Sequence, residues 1–196
     1  MKDLRILFFL LLCPLFCLTS CEESDEMGEF DNWEKRNTEF IDSIASVARA
    51  NADGKWQVFL AYGLDPEKEW DNEYYVYCKV LEEGTGTKNP LYTDNVTVNY
   101  KGRLMPTSNY PEGFVFDSSY DGELDTAFDV PVTLSLPSTV GGFSTALQHM
   151  VAGSRWDIYI PSTLGYGASA VSGIPVGSVL VFDVDLVSFT SMDRAE

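Results

Sequence analysis

The chain has 196 residues, 45% of them apolar and 13% aromatic, with 30 acidic against 13 basic side chains and a formal net charge of −17. Such a length suits one domain plus an extension, and the acidity excludes nucleic-acid binding, which needs clustered Lys and Arg. The aromatic content excludes disorder over most of the chain. With one histidine (His149) and no repeated cysteine pairs, any reaction must run without a histidine base or a thiolate-rich metal site, and no cofactor or metal is expected.

The N-terminus reads as an address. Met1-Lys2-Asp3-Leu4-Arg5 is a short basic region, and the apolar run Ile6 to Leu18 is too short to span a bilayer comfortably. Leu18-Thr19-Ser20-Cys21 resembles the lipobox of bacterial lipoproteins, which implies a signal peptide over 1–20 and a lipid on Cys21. Removing the signal takes the formal charge from −17 to −18. It also leaves Cys78 as the only unmodified thiol, so the core must hold without an internal disulfide. Cys78 lies in an alternating run, Tyr74 to Leu81, and is expected to be buried. Residues 21–30 form an acidic tether, Glu22-Glu23-Ser24-Asp25-Glu26 at its start. It resembles the surface-export leader of some Gram-negative lipoproteins; a solvated spacer is the equal alternative. The expected location is the cell envelope, lipid-anchored at the outer membrane, on its periplasmic or outer face.

Residues 31–73 read as a helical extension. Trp33, Phe40, Ile41, Ile44, Val47 and Ala48 form one stripe at three- and four-residue spacing. Asp31 and Glu34 suit a capping arrangement, and Asp53-Gly54 supplies a stop. The stripe is expected to pack on the chain's own domain rather than serve as a dimerising arm, so a monomer is favoured over a dimer. Lys55 to Asp71 stays open: Trp56, Phe59, Leu60 and Tyr62 would suit a continuing helix until Asp65-Pro66 breaks it.

From residue 74 the period becomes two. Val96, Val98 and Tyr100 alternate with polar residues; Phe128, Val130, Val132, Leu134 and Leu136 share a parity, as do Trp156, Ile158 and Ile160, and Leu180, Phe182, Val184 and Leu186. These are half-buried antiparallel strands. A short helix, Phe143 to Met150, is available to cover them. The economical fold is α+β: a curved antiparallel sheet wrapped over one short helix, with the N-terminal amphipathic helix as an extension. This domain spans 74–190, with 191–196 as a tail.

Six segments in register carry a family likeness: Val98-Asn99-Tyr100-Lys101-Gly102, Phe116-Asp117-Ser118-Ser119, Gly141-Gly142-Phe143, Ala152-Gly153-Ser154, Leu164-Gly165-Tyr166-Gly167-Ala168 and Leu180-Val181-Phe182-Asp183-Val184. Together they resemble the FKBP-type peptidyl-prolyl cis-trans isomerases. The resemblance implies an apolar pocket between sheet and helix, with catalytic roles for Tyr100, Asp117 and Tyr166. It implies substrate contacts from Phe116, Phe128, Val140, Phe143, Ile174 and Phe182. Phe143 stands at the floor, where many members have Trp, and Thr139 stands where an apolar residue is usual. Two departures are visible: Met105 to Gly113 is longer than the usual tight turn, and Ser169 to Gly177 is about one residue short. The implied partners are proline-containing segments of exported proteins, with macrolide inhibitors as ligands of the same pocket and the membrane reached through the lipid. A non-catalytic chaperone or peptide-binding lipoprotein would use the same cleft. Asp121, Glu123, Asp125 and Asp129 lack the glycine-bearing loop of an EF-hand and read as loop solvation, Gly84-Thr85-Gly86 lacks the rest of a phosphate loop, and His149 is expected to be exposed and neutral.

Overall fold

The computed structural model describes residues 28–190; the leader, Cys21, the first part of the tether and the C-terminal tail lie outside the described residues. Helix α1 (Trp33–Ala50) buries Trp33, Asn37, Ile41, Ala45 and Ala48. This stripe differs from the expected one at two places. Val47 is 53% exposed, and the polar Asn37, invisible to a hydrophobic count, takes a core position. Asp31 does not cap the helix. Its carboxylate accepts the Gly28 N–H at 2.8 Å, and the cap is Asn32 in the left-handed region. The helix stops at Asn51, also left-handed (φ 44°), where asparagine tolerates the conformation; Gly54 then turns the chain into the first strand.

That strand settles the open segment: Trp56–Leu60 is β1, paired antiparallel with β2 (Tyr75–Glu82). The rest follow as β3 (Asn95–Leu104), β4 (Val115–Ser118), β5 (Val132–Ser135), β6 (Arg155–Ile160) and β7 (Leu180–Thr190), with helix α2 (Gly141–Leu147) between β5 and β6. The sheet order is β1-β2-β6-β7-β3-β4, every pair antiparallel, and β5 joins β3 beside β4. β5 takes the Asn95–Val98 half of β3 and β4 the Lys101–Arg103 half, so residues 119–131 leave the sheet between them. The expected strand from Phe128 therefore begins only at Val132, and Phe128 and Val130 are 84% and 77% exposed.

Period-two burial sends Val76, Cys78, Trp156, Ile158, Ile160, Leu180, Phe182, Val184 and Leu186 to one face, where Phe143, Ala146, Leu147 and Met150 meet them. Residue 142 must be glycine, since a Cβ there would collide with Ile160. Cys78 is fully buried, as its alternating run implied, and burial pushes its thiol up, away from reactivity. The opposite face carries the register-aligned row Val58–Tyr77–Tyr159–Val181, under the Ile41, Ala45 and Ala48 stripe of α1. The helix thus packs on its own domain.

Beyond α1 the outer face carries a charged row, Lys79–Asp157–Asp183–Lys101, each pair in register across neighbouring strands. Arg155 grips Asp183 with two hydrogen bonds, at 2.9 and 2.6 Å. Asp157 makes no such bond among the described residues, and burial, reinforced by Asp183, pushes its carboxyl up to about 6. The folded chain therefore holds this proton more tightly than the unfolded chain, and stability from this group falls as pH rises from the ordinary carboxylate range through about 6. Asp157→Asn should stabilise the fold by ~1–2 kcal/mol at about pH 7.5 and by almost nothing at about pH 4. Urea unfolding at both pH values checks this; equal gains at both would refute it.

Candidate active site

Between the inner sheet face and α2 lies a hollow of about 290 Å³ lined by Tyr100, Asp117, Leu134, Ser138, Thr139, Val140, Phe143, Tyr166 and Phe182. Phe182 is its hub. Its ring meets Phe143 at 5.1 Å and Phe116 at 5.5 Å, both edge-to-face, and Tyr100 at 6.2 Å. Edge-to-face pairs are favoured by the ring quadrupole and hold the walls open instead of collapsing them into a stack. The cluster depends on Gly102: a Cβ there would come within 2.6–2.8 Å of the Phe116 and Phe182 rings.

The local sequence explains each placement. Tyr100 faces inward from β3, and the Ser118-Ser119 pair clamps its backbone: Ser119 Oγ accepts the Tyr100 N–H at 2.9 Å while the Ser119 N–H donates to the Tyr100 carbonyl at 2.9 Å. The same turn brings Asp117 round so that the Tyr100 hydroxyl donates to its Oδ2 at 2.6 Å. Burial, and then that hydrogen bond, raises the phenol's pKa and keeps it protonated. Val140 precedes α2 in extended conformation, and its own amide donates to no group among the described residues. Tyr166 is held by the Leu164–Ala168 turn, in which the Ser162 carbonyl accepts from both Gly165 (3.0 Å) and Gly167 (2.8 Å); the left-handed Gly167 (φ 56°) makes the double bond feasible. The Tyr166 hydroxyl has no hydrogen-bond partner among the described residues.

Tyr100, Asp117, Val140, Phe143, Tyr166 and Phe182 are thus brought together around the hollow, and Phe116 joins them through its edge-to-face contact with Phe182 without lining it. Two residues are not. Phe128 sits in a turn in which Asp125 caps Ala127 and Asp129 caps Asp125, outside the sheet and away from the hollow. Ile174 is buried (6% exposed) and lines a separate hollow of about 620 Å³ beside Trp33, Met105 and Phe114, in a turn closed by its bridge to Val171. Leu134 and Ser138 were missed, although Leu134 shares the inward parity of β5. His149 is not exposed: it stacks on Phe59 at 3.8 Å with planes 3° apart, and burial lowers its pKa.

A sheet curled over a short helix, with an aromatic hollow between, defines the class. The model of the FKBP-type peptidyl-prolyl cis-trans isomerase family matches residues 86–187, and the chain belongs to that family. Among curated relatives, peptidyl-prolyl cis-trans isomerase Mip of Coxiella burnetii is 41% identical over 112 residues, 56% of this chain and 43% of the relative. The outer membrane protein MIP of Legionella longbeachae is 37% identical over 112 residues, 56% of this chain and 42% of that relative. FkpA of Aeromonas hydrophila is 36% identical over 135 residues, 68% and 45% of the two chains. The match spans less than half the length of these relatives. Among solved structures, a peptidyl-prolyl cis-trans isomerase of Pseudomonas syringae pv. tomato superposes with TM-score 0.55 at 25% identity, covering 80% of this chain and 96% of that one.

Gly102→Ala should cost ~1–3 kcal/mol through overpacking and weaken the near-ultraviolet dichroism of the ring cluster. Unfolding curves and spectra check it; an unchanged midpoint would mean that the rings give way freely.

Proposed function

We propose that the chain is a peptidyl-prolyl cis-trans isomerase acting on X–Pro bonds in segments of exported proteins. The observation that carries this is the aromatic hollow itself, apolar on most sides with one polar corner. Rotation about X–Pro is slow because amide resonance sets a barrier of ~18–20 kcal/mol. In the twisted transition state resonance is lost and charge separation shrinks, so water, which stabilises the planar dipolar form, holds the barrier up. A prolyl ring seated against Phe143, Phe182 and Val140, with Phe116 backing them, loses that water and reaches the twisted state more readily. A gain of ~4 kcal/mol would be about a thousandfold.

The polar groups orient rather than react. The Tyr166 hydroxyl and the Val140 amide, both without protein partners among the described residues, are donors for peptide carbonyls. The Tyr100–Asp117 pair fixes the corner that meets the twisted carbonyl. No proton leaves either group, which agrees with a phenol held protonated and a half-buried His149 outside the hollow. Macrolide inhibitors of the family would compete for the same surface, weakened where Phe143 replaces an indole.

Pocket dryness should outweigh the polar corner. On a proline-bearing tetrapeptide, Phe182→Ala should lower kcat/KM by ~100-fold and Asp117→Ala by ~10-fold, each assayed where circular dichroism shows it folded. The reverse ranking would refute the desolvation mechanism, and a wild-type rate equal to buffer would leave a binding module instead.

The envelope placement is supported by the leader pattern and by the outer-membrane name of a relative. Lipidation of Cys21 would tether the domain through its acidic linker. Cys21→Ala should move the protein from the detergent-extracted membrane fraction to the soluble fraction; equal partitioning of variant and wild type would refute the anchor.

A further inference from the structure

The loop that carries Tyr166 is held from outside the stretch that the family model matches. The chain leaves the hollow at Tyr166, runs through the loop from Gly165 to Val179 and returns to the hollow at Phe182. Its two stems are tied by the Gly177 N–H donating to the Gly167 carbonyl at 3.1 Å. The second stem is then held by α1. The Trp33 indole N–H donates to Ser178 Oγ at 2.8 Å in a buried bond, and Asn37 Oδ1 accepts the Val179 N–H at 2.8 Å, also buried. Asn37 is oriented for this because its amide nitrogen donates to the Trp33 carbonyl at 2.8 Å. Gly177 lies so close to α1 that a Cβ would collide with Glu34 Cγ. Just before the helix, the Glu29 carboxylate accepts from Thr107 Oγ1 and Asn109 Nδ2, at the tip of the long β3–β4 hairpin.

We propose that segment 29–37 braces the rim of the prolyl pocket, with Trp33 and Asn37 as positioning residues that hold the 165–179 loop in its binding-competent form. The inference rests on the isomerase reading and adds to it a contribution from the N-terminal extension. The physical basis is the cost of alternatives. Trp33 is 6% and Val179 2% exposed, so a loop that leaves α1 strands the Trp33 indole N–H and the Val179 amide, which costs more than the bonds contribute net, while Ser178 Oγ keeps its own bond to the Pro175 carbonyl. A loop held this way has its ordering entropy removed before substrate arrives, and pre-organisation of that kind shows in affinity rather than in the chemical step.

The test uses the full chain with Asn37→Ala and Trp33→Phe, the latter keeping an aromatic ring but no N–H. The control is Ala48→Gly, which destabilises the same helix far from the loop. Tetrapeptide kinetics and amide hydrogen exchange at Val179 and Gly177 are read together. Both brace variants should raise KM about fivefold with kcat within about twofold and speed exchange at Val179, whereas Ala48→Gly lowers the melting temperature and leaves KM unchanged. Unchanged KM in both variants overturns the proposal, as does an equal rise in Ala48→Gly at matched stability loss. If Asn37→Ala does not fold, Trp33→Phe decides. A wild type without turnover would refute the isomerase reading alone; the same ratios are then read as dissociation constants for the peptide.

Discussion

Seven residues at 1.5 Å rise give α2 a length of only about 10 Å, whereas six strands at about 4.8 Å spacing make a sheet roughly 24 Å across. The inner face of that sheet is apolar on nearly every strand, so most of the molecule's design follows from what α2 leaves uncovered. Exposed apolar area costs ~25 cal/mol per Å² relative to burial. The sheet recovers part of it by curling, so that β3 and β7 present Tyr100 and Phe182 toward Phe143 of α2. The remainder stays open as the hollow. A longer helix would have closed the face and removed the site.

Within the hollow, the glycine at 102 and the serines at 118 and 119 shape the site without lining it. Gly102 lies opposite Phe182 and Asp117 in the register of β7 and β4, which is why one missing side chain admits two rings. The serines complete the Tyr100 backbone bonds where β4 ends, and so set the angle at which Asp117 meets the phenol. Each aromatic pair adds only ~0.5–1.5 kcal/mol. Their shared hub at Phe182 makes them act as one wall.

Strong periodicity made the architecture legible: the inner parity of β6 and β7, the short glycine-opened helix and the amphipathic α1 all appear in the sequence. The site was legible where a side chain's direction is fixed by a strand or a tight motif, as for Tyr100, Asp117, Tyr166 and Phe182. It was illegible where loop length decides. Phe128 shares parity with Val132, but parity has no meaning once residues 119–131 leave the ladder. Ile174 sits in a loop closed by its own bridge to Val171, where neither strand parity nor helical spacing tells which hollow a side chain faces. Asn37 escaped because a buried asparagine looks polar in a hydrophobic count; its core position follows from two hydrogen-bond partners 142 and 4 residues away, of which a pattern shows neither.

Three loops, residues 119–131, the β3–β4 hairpin tip and residues 165–179, are held by different physics. Residues 119–131 rest on their own carboxylate-capped turn and on Lys101, whose ammonium lies 4.4 Å over the Tyr120 ring and donates to the Gly122 carbonyl. Asp183 stands opposite Lys101 in the register of β7, its carboxylate held by Arg155. The β3–β4 hairpin tip is tied to Glu29 by two polar bonds, exposed at Asn109 and half-buried at Thr107, which contribute little net. Of the three, only the 165–179 loop is fixed through buried bonds to a second element, and it carries Tyr166 of the hollow. The tyrosine wall of the hollow is thus set on the more firmly held loop, whereas the hairpin tip borders the neighbouring hollow beside Trp33 and Ile174.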